Sequence, residues 1–363
     1  MKHTLFRTFA LALLMPLATA RAAEEAPPAT PVNQDEYYSS SFGDKPKNEG
    51  HSIAPVIGYD PTFGFVAGAA YFYQGHGLNF GVDGNLNFRR VYQTHARFSF
   101  DLGGLWRTDW NFGFIKGFEN YYGEGGETSA TPRQIWGNRI TAQGRLLVAL
   151  SERFSAGVIA DARSRDEERG PDVKQLDRVA PDATVVAMGL SSVYDTRKDK
   201  LRSNDGFVFT SEILHGPPQA GHGSFTQLGG SFVVYKEILE GFIPDVVAAF
   251  RIMGGVSLGD TPYAFRYQLG GPTRLSGYLE NRFRGSKFFL QQTELRFPIY
   301  KMVGGALSLG FGDASDGPFT NPKMAYGAGL RIGLPPDWVS KIRIDVGVGK
   351  DQIGIFADFG QTF

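Results

Sequence analysis

The sequence predicts an all-β fold: a transmembrane antiparallel β-barrel of about sixteen strands, with a long inward-folding loop between strands 11 and 12. Three observations carry this expectation. Apolar and polar residues alternate along most of the chain, and each alternating stretch runs about ten residues. Beyond the N-terminus, no uncharged apolar run approaches the roughly 20 residues that a membrane helix needs.

The first element, residues 1–22, reads as a secretory signal. Lys2, His3 and Arg7 make a positive start, an apolar run follows from Phe9 to Leu17, and Ala18-Thr19-Ala20 and Ala20-Arg21-Ala22 supply small-residue cleavage patterns. The apolar run is too short to span a bilayer, and Pro16 interrupts it. Residues 23–50 are polar, Pro-rich and aperiodic, so a disordered periplasmic lead-in is expected there. The barrel is expected over residues 51–363.

Within the barrel the period is two. In the third stretch Leu78, Phe80, Val82, Leu86 and Phe88 share one face, while Asn79, Asp83, Asn85, Asn87 and Arg89 share the other. The pattern recurs at 92–103, at Ile140 to Ser151 and at Lys341 to Gly349. The expected strands are 52–59, 63–74, 78–89, 92–103, 105–118, 135–150, 153–165, 182–196, 206–216, 223–239, 245–260, 286–300, 302–313, 324–335, 340–350 and 353–363. Links after even-numbered strands are mostly tight, and those after odd-numbered strands are mostly long, which is the asymmetry of inner turns and outer loops. In hydrocarbon only a closed sheet satisfies every backbone group, so the polar face is expected to line the interior and the apolar face to meet lipid. Ile355, Phe359 and Phe363 form the expected barrel-closing strand, and a terminal aromatic resembles the signal read by the outer-membrane barrel-assembly machinery during biogenesis.

Composition excludes several functions. The chain has 47 Gly, 30 Phe, 15 Tyr and no Cys, and its formal net charge is +0. A disulfide scaffold, a thiol nucleophile and a thiolate metal site are therefore ruled out, and there is no electrostatic footprint for nucleic acid. No serine-hydrolase elbow, zinc-protease motif or phosphate loop occurs, so no enzyme, catalytic residue, cofactor or metal is expected. Asp313-Ala314-Ser315-Asp316-Gly317 has a faint calcium-loop look and reads better as an Asx-turn. Trp106, Trp110, Tyr71, Tyr73, Tyr121 and Tyr122 are expected to belong to interfacial aromatic girdles rather than to a sugar platform. Arg97, Arg145, Arg163 and Arg165 either line an anion-selective pore or are balanced by Asp83, Asp101 and Asp161.

The longest loop reads Gly270, Gly271, Arg274, Ser276, Gly277, Tyr278, Arg282 and Arg284 at its distinctive positions, and Thr293-Glu294-Leu295-Arg296-Phe297-Pro298 follows on the next strand. Tyr194-Asp195-Thr196-Arg197 with Gly206, Phe311-Gly312-Asp313 and Tyr326 to Arg331 complete the pattern. Together they resemble the bacterial surface antigen superfamily of outer-membrane barrels, of the BamA/TamA type. The chain looks like a short member without the POTRA domains that precede many barrels of that family. The resemblance implies an outer-membrane location and a role in outer-membrane protein or lipid assembly or transport. A plugged or passive channel with no client polypeptide is the alternative. The expected partners are outer-membrane lipid and the assembly machinery, with the client or solute unspecified. In the family a loop arginine meets lumen acids that correspond here to Glu294 and Asp313. Ser276 stands at that arginine's position, so Arg282 or Arg284 is expected to supply the charge, with Arg274 next in order.

Overall fold

The structure, a computed structural model, describes residues 50–363 apart from 76, 103–104, 124–127, 130, 168–182, 198–202, 240, 334–340 and 360–363. The signal, the lead-in up to residue 49, and Phe363 lie outside the described residues.

The chain forms β1 (Gly50–Asp60), β2 (Gly64–Gly75), β3 (Leu78–Asn87), β4 (Tyr92–Leu102), β5 (Trp106–Tyr121), β6 (Arg133–Ala149), β7 (Phe154–Glu167) and β8 (Ala183–Asp195). It continues with β9 (Gly206–Gly216), β10 (Phe225–Glu237), β11 (Val247–Gly259), β12 (Tyr267–Leu269), β13 (Phe283–Gly285) and β14 (Lys287–Tyr300). The last strands are β15 (Val303–Ser315), β16 (Lys323–Gly333), β17 (Lys341–Val348) and β18 (Ile353–Phe359). Sixteen of these close an antiparallel barrel in chain order, β11 pairing with β14, while β12 and β13 form a separate two-stranded ribbon. Each neighbour pairing in the barrel is antiparallel, so hairpins suffice to connect it.

Burial runs opposite to that of a water-soluble protein. Phe65 is 63% exposed and Leu190 60%, and Ile252, Leu307, Leu330 and Ile355 are exposed with them. Asp83, Gln143, Arg145, Asp161, Glu212, Arg251 and Arg343 are buried. Arg251 and Ile252 show the two kinds at adjacent positions of β11, as an apolar outer wall around a polar interior requires. Inside, opposite charges meet: Arg163 binds Asp161 at 2.8 Å and Arg145 pairs with Glu212, while the His95 ring lies 3.3 Å from the Asp83 carboxylate. Arg145 and Arg163 thus have acidic partners inside the wall.

Local sequence explains several corners. At the β8–β9 turn, Arg197 binds Asp195 at 2.9 Å, and the Phe207 N–H donates to the Thr196 hydroxyl at 2.8 Å. Gly206, at φ +105, is required there, because a β-carbon would stand 2.8 Å from the Arg197 Cα. The Asp316 segment is a turn: the carboxylate accepts the Ser286 N–H at 2.8 Å and holds Arg266 at 2.9 Å, while the Gly317 N–H donates to the Ser315 hydroxyl.

Candidate functional site

Between β11 and β14, residues 260–286 carry a 3₁₀ turn (Tyr263–Phe265) and the β12–β13 ribbon. Most of this segment is buried, and it touches polar side chains of strands far apart around the barrel. One end is anchored on β5–β7. Glu119, 4% exposed, sits within 2.7 Å of Arg139, 3.0 Å of Arg165 and 3.6 Å of Arg284. The Tyr263 hydroxyl donates to the same carboxylate at 2.5 Å. Arg284 lies 3.9 Å above the Tyr263 ring and Arg165 4.7 Å from it, so cations cover both the carboxylate and the phenol. Arg163 donates to the Ala264 carbonyl at 2.6 Å and packs 4.4 Å from the Phe265 ring. A small cavity of about 90 Å³ lies at this junction, lined in part by Glu119, Arg139, Arg165, Tyr263, Glu280 and Arg284.

The other end of the segment lies on β17 and β18. Gly270 and Gly271 have φ of +114 and +96, where L side chains are strained, and they turn the chain back on itself. The Gly270 N–H donates to the Arg274 carbonyl at 2.7 Å, and the Gly271 N–H to the Tyr278 carbonyl at 2.9 Å. The resulting tip, Ser276-Gly277-Tyr278, presses its backbone against glycines. A β-carbon on Gly354 would stand 2.5 Å from the Ser276 carbonyl oxygen, and one on Gly277 would stand 2.5 Å from the Gly349 nitrogen. Tyr278 accepts the Lys350 N–H at 3.1 Å, and the Leu279 N–H donates to Gln352 at 3.1 Å. Leu275, Leu269 and Tyr278 join Met253, Phe288 and Leu290 in an apolar cluster that fixes the segment to β11 and β14.

For Arg282 and Arg284 the expected charge pairing is corrected here. Glu294 is met by Arg296 at 2.6 Å and Arg331 at 3.3 Å, and Asp313 by Lys323 at 3.4 Å, all from barrel strands. Arg284 stands beside Glu119, while Arg282 stacks 4.9 Å from the Tyr122 ring and donates to the Thr128 hydroxyl. The Arg251 guanidinium reaches the Thr273 carbonyl, next to Arg274. The physical reason is proximity. Arg296 lies two residues from Glu294 on the same face, so the wall supplies that acid's counter-charge itself, and Arg284 meets Glu119 of β5 instead. Tyr122 is also not a girdle residue, being buried beneath Arg282, and Tyr121 packs 6.0 Å from Tyr263. Trp106 and Trp110 do lie exposed on the outer wall.

Among the described residues, β1 and β18 align at Tyr59 opposite Ala357, whereas β1 is laddered to β2 from Gly50 opposite Gln74 to Asp60 opposite Gly64. Pro55 lies within β1 and has no N–H to offer a neighbour.

Residues 73–363 match the model of the Omp85 superfamily domain. The chain belongs to the Omp85 superfamily. It is an Omp85-family outer-membrane barrel whose backbone resembles two solved relatives. BamA from Haemophilus ducreyi, in a form lacking POTRA domains 1-3, superposes with a TM-score of 0.59 at 12% identity, covering 86% of this chain and 70% of that one. CdiB from Escherichia coli gives a TM-score of 0.64 at 12% identity, covering 87% of this chain and 63% of the other. CdiB from Acinetobacter baumannii matches over 59% of its own length, so the chain spans about three-fifths of the CdiB structures. The search of curated proteins gave no match. These likenesses are of fold, and the Omp85 barrel here carries its loop anchor on β5.

Proposed function

We propose that this Omp85 barrel, delivered to the outer membrane through a cleaved signal peptide, takes part in outer-membrane protein or lipid assembly or transport. In this reading it works by parting the β1–β18 seam while residues 260–286 stay clamped to the wall. The observation that carries the reading is the seam. The chain's first and last strands meet there at Tyr59 and Ala357, β1 carries a proline with no N–H to offer a neighbour, and the loop tip lies against the last two strands beside it. Family membership and the likeness to BamA and CdiB support the same reading. The alternative, a plugged channel without a client, is favoured by the buried segment and its ion pairs.

A disulfide across the seam separates the two. The chain has no native cysteine, so Tyr59→Cys with Ala357→Cys gives a defined lock. The expected outcome is that oxidation abolishes photo-crosslinking from the exposed Ile53 of β1 to a nascent barrel protein or an acyl-chain probe, and that reduction restores it. If the locked and unlocked barrels crosslink equally, or if the unlocked barrel crosslinks nothing and conducts steadily in a planar bilayer, the seam reading fails and the channel stands.

A further inference from the structure

The cavity where the loop meets the wall is lined by more positive charge than negative. Arg139 of β6, Arg163 and Arg165 of β7, and Arg284 of the loop present four guanidiniums to it. The carboxyls on the same lining are those of Glu119 and Glu280. Glu119 is fully engaged: its Oε1 takes the Arg165 Nη1 at 3.0 Å and the Tyr263 hydroxyl at 2.5 Å, and its Oε2 takes the Arg139 Nη1 at 2.7 Å. Burial pushes the Glu280 carboxyl up to about 8, so it stands mostly neutral at pH 7. Four guanidiniums on the lining then face one charged carboxylate, and Asp161, at 2.8 Å, answers only Arg163.

A donor is also left over. Arg165 is 8% exposed, and among the described residues its Nε–H meets no acceptor, although its Nη1 is held by Glu119. A buried donor without an acceptor is costly, more so on a charged group. The Arg139 side chain keeps 21% of its surface exposed, so it too has room for a second partner.

We propose that this cavity binds a free inorganic oxyanion of the phosphate class, which bridges the loop to β6 and β7. The Arg165 Nε–H and further N–H groups of Arg139 and Arg284 donate to its oxygens, since guanidinium forks match the geometry of such an ion. Size narrows the ligand. One water takes about 10–15 Å³ of such a space, so 90 Å³ holds roughly six, and a phosphate-sized ion fits where a sugar or an acyl chain does not. The loop supplies Tyr263, Glu280 and Arg284, so lifting the loop dismantles the site, and the bound ion holds the loop down by mass action. This holds whether or not the β1–β18 seam parts.

The test uses the full-length barrel in detergent with inorganic phosphate as the probe, at pH 7 and an ionic strength fixed with chloride. Equilibrium dialysis is expected to show about one phosphate per barrel. Phosphate at about a hundred times its Kd should slow protease cleavage within residues 260–286 about a hundredfold. R165K keeps the charge beside Glu119 but has no Nε–H, and it should weaken binding about tenfold, the size of one charge-assisted hydrogen bond. T141M, which fills the cavity from β6 without changing charge, should abolish binding, and glycerol 3-phosphate should not compete. Unchanged heat-dependent gel mobility verifies that each variant is folded. Equal binding by wild type and T141M, or loop protection no better than in chloride, would mean that water alone fills the cavity. Binding by R165K as tight as that of the wild type, or effective competition by glycerol 3-phosphate, overturns the proposal as well.

Discussion

Glu119 is a carboxylate addressed by three guanidiniums and a phenol, drawn from β6, β7 and the segment between β11 and β14. Removing its charge leaves those guanidiniums crowded without it, and breaking a buried pair costs roughly 3–5 kcal/mol. Glu119→Gln is therefore expected to free residues 260–286 to protease while the barrel keeps its heat-dependent gel mobility. Because Arg284 acts through the same carboxylate, the double variant with Arg284→Gln should cost less than the sum of the single changes, measured as a coupling energy. Additive effects would show that Arg284 and Glu119 do not work as a pair. Glu280 brings a pH dependence to the same junction. Burial pushes its carboxyl up to about 8 from an ordinary 4.5; the nearby Asp60 and Glu119 push the same way, and Arg139 and Arg284 oppose them. A raised carboxyl favours the folded loop when neutral. Its contribution is thus complete below about 4.5 and disappears as pH climbs through about 8. Protease protection of residues 260–286 is expected to be greater at pH 5 than at pH 9, and Glu280→Gln should flatten that difference. A wild-type loop equally protected at both pH values would refute the assignment.

At the scale of elements, the strands were legible and the clamp was not. Alternation placed the strand ends within a few residues of those observed, because one face meets lipid and the other water along the whole wall, so each slip of register would reverse every side chain. The fifth and sixth strands run further than expected, to Tyr121 and from Arg133, because their ends pair with each other past the level where alternation stops. That extension puts Glu119 on a strand, where sequence reading had placed it in a loop and therefore gave it no role. β12 and β13 are three-residue strands with every side chain buried, so they leave no period to read. The distinctive loop residues were visible as Gly270, Gly271 and Tyr278, but the partners of Arg282 and Arg284 were not. Their partners come from segments distant in sequence, and spacing carries no information about those. A signal was present for the corrected pair: Glu294 and Arg296 are two residues apart, on one face of one strand. The tip itself can be tested at this scale. Leu275 holds φ +82 in a fully buried site, a strained backbone kept in place by packing. Leu275→Ala should weaken docking of the tip by about 2–5 kcal/mol, as a large-to-small core change does, read as faster hydrogen exchange at Gly277 and Tyr278.

The whole molecule is an inverted protein, with charge inside and apolar surface outside, and this inversion predicts what substitutions on the two faces do. Leu190 stands mid-strand on β8 and is 60% exposed. In a water-soluble protein an arginine at such a position changes stability by no more than about 0.5 kcal/mol. On a lipid-facing wall the same change costs roughly 2–4 kcal/mol near the bilayer centre and far less toward its edges. Leu190→Arg is therefore expected to lower the stability of the barrel refolded into lipid vesicles by that larger amount, while an arginine near a rim, at Leu258, costs about 1 kcal/mol or less. The contrast comes from depth alone, since both leucines are exposed on neighbouring regions of one wall. Thicker vesicles should narrow it by moving Leu258 deeper into hydrocarbon, and equal, small effects at both sites in thin vesicles would mean that water rather than lipid covers this face.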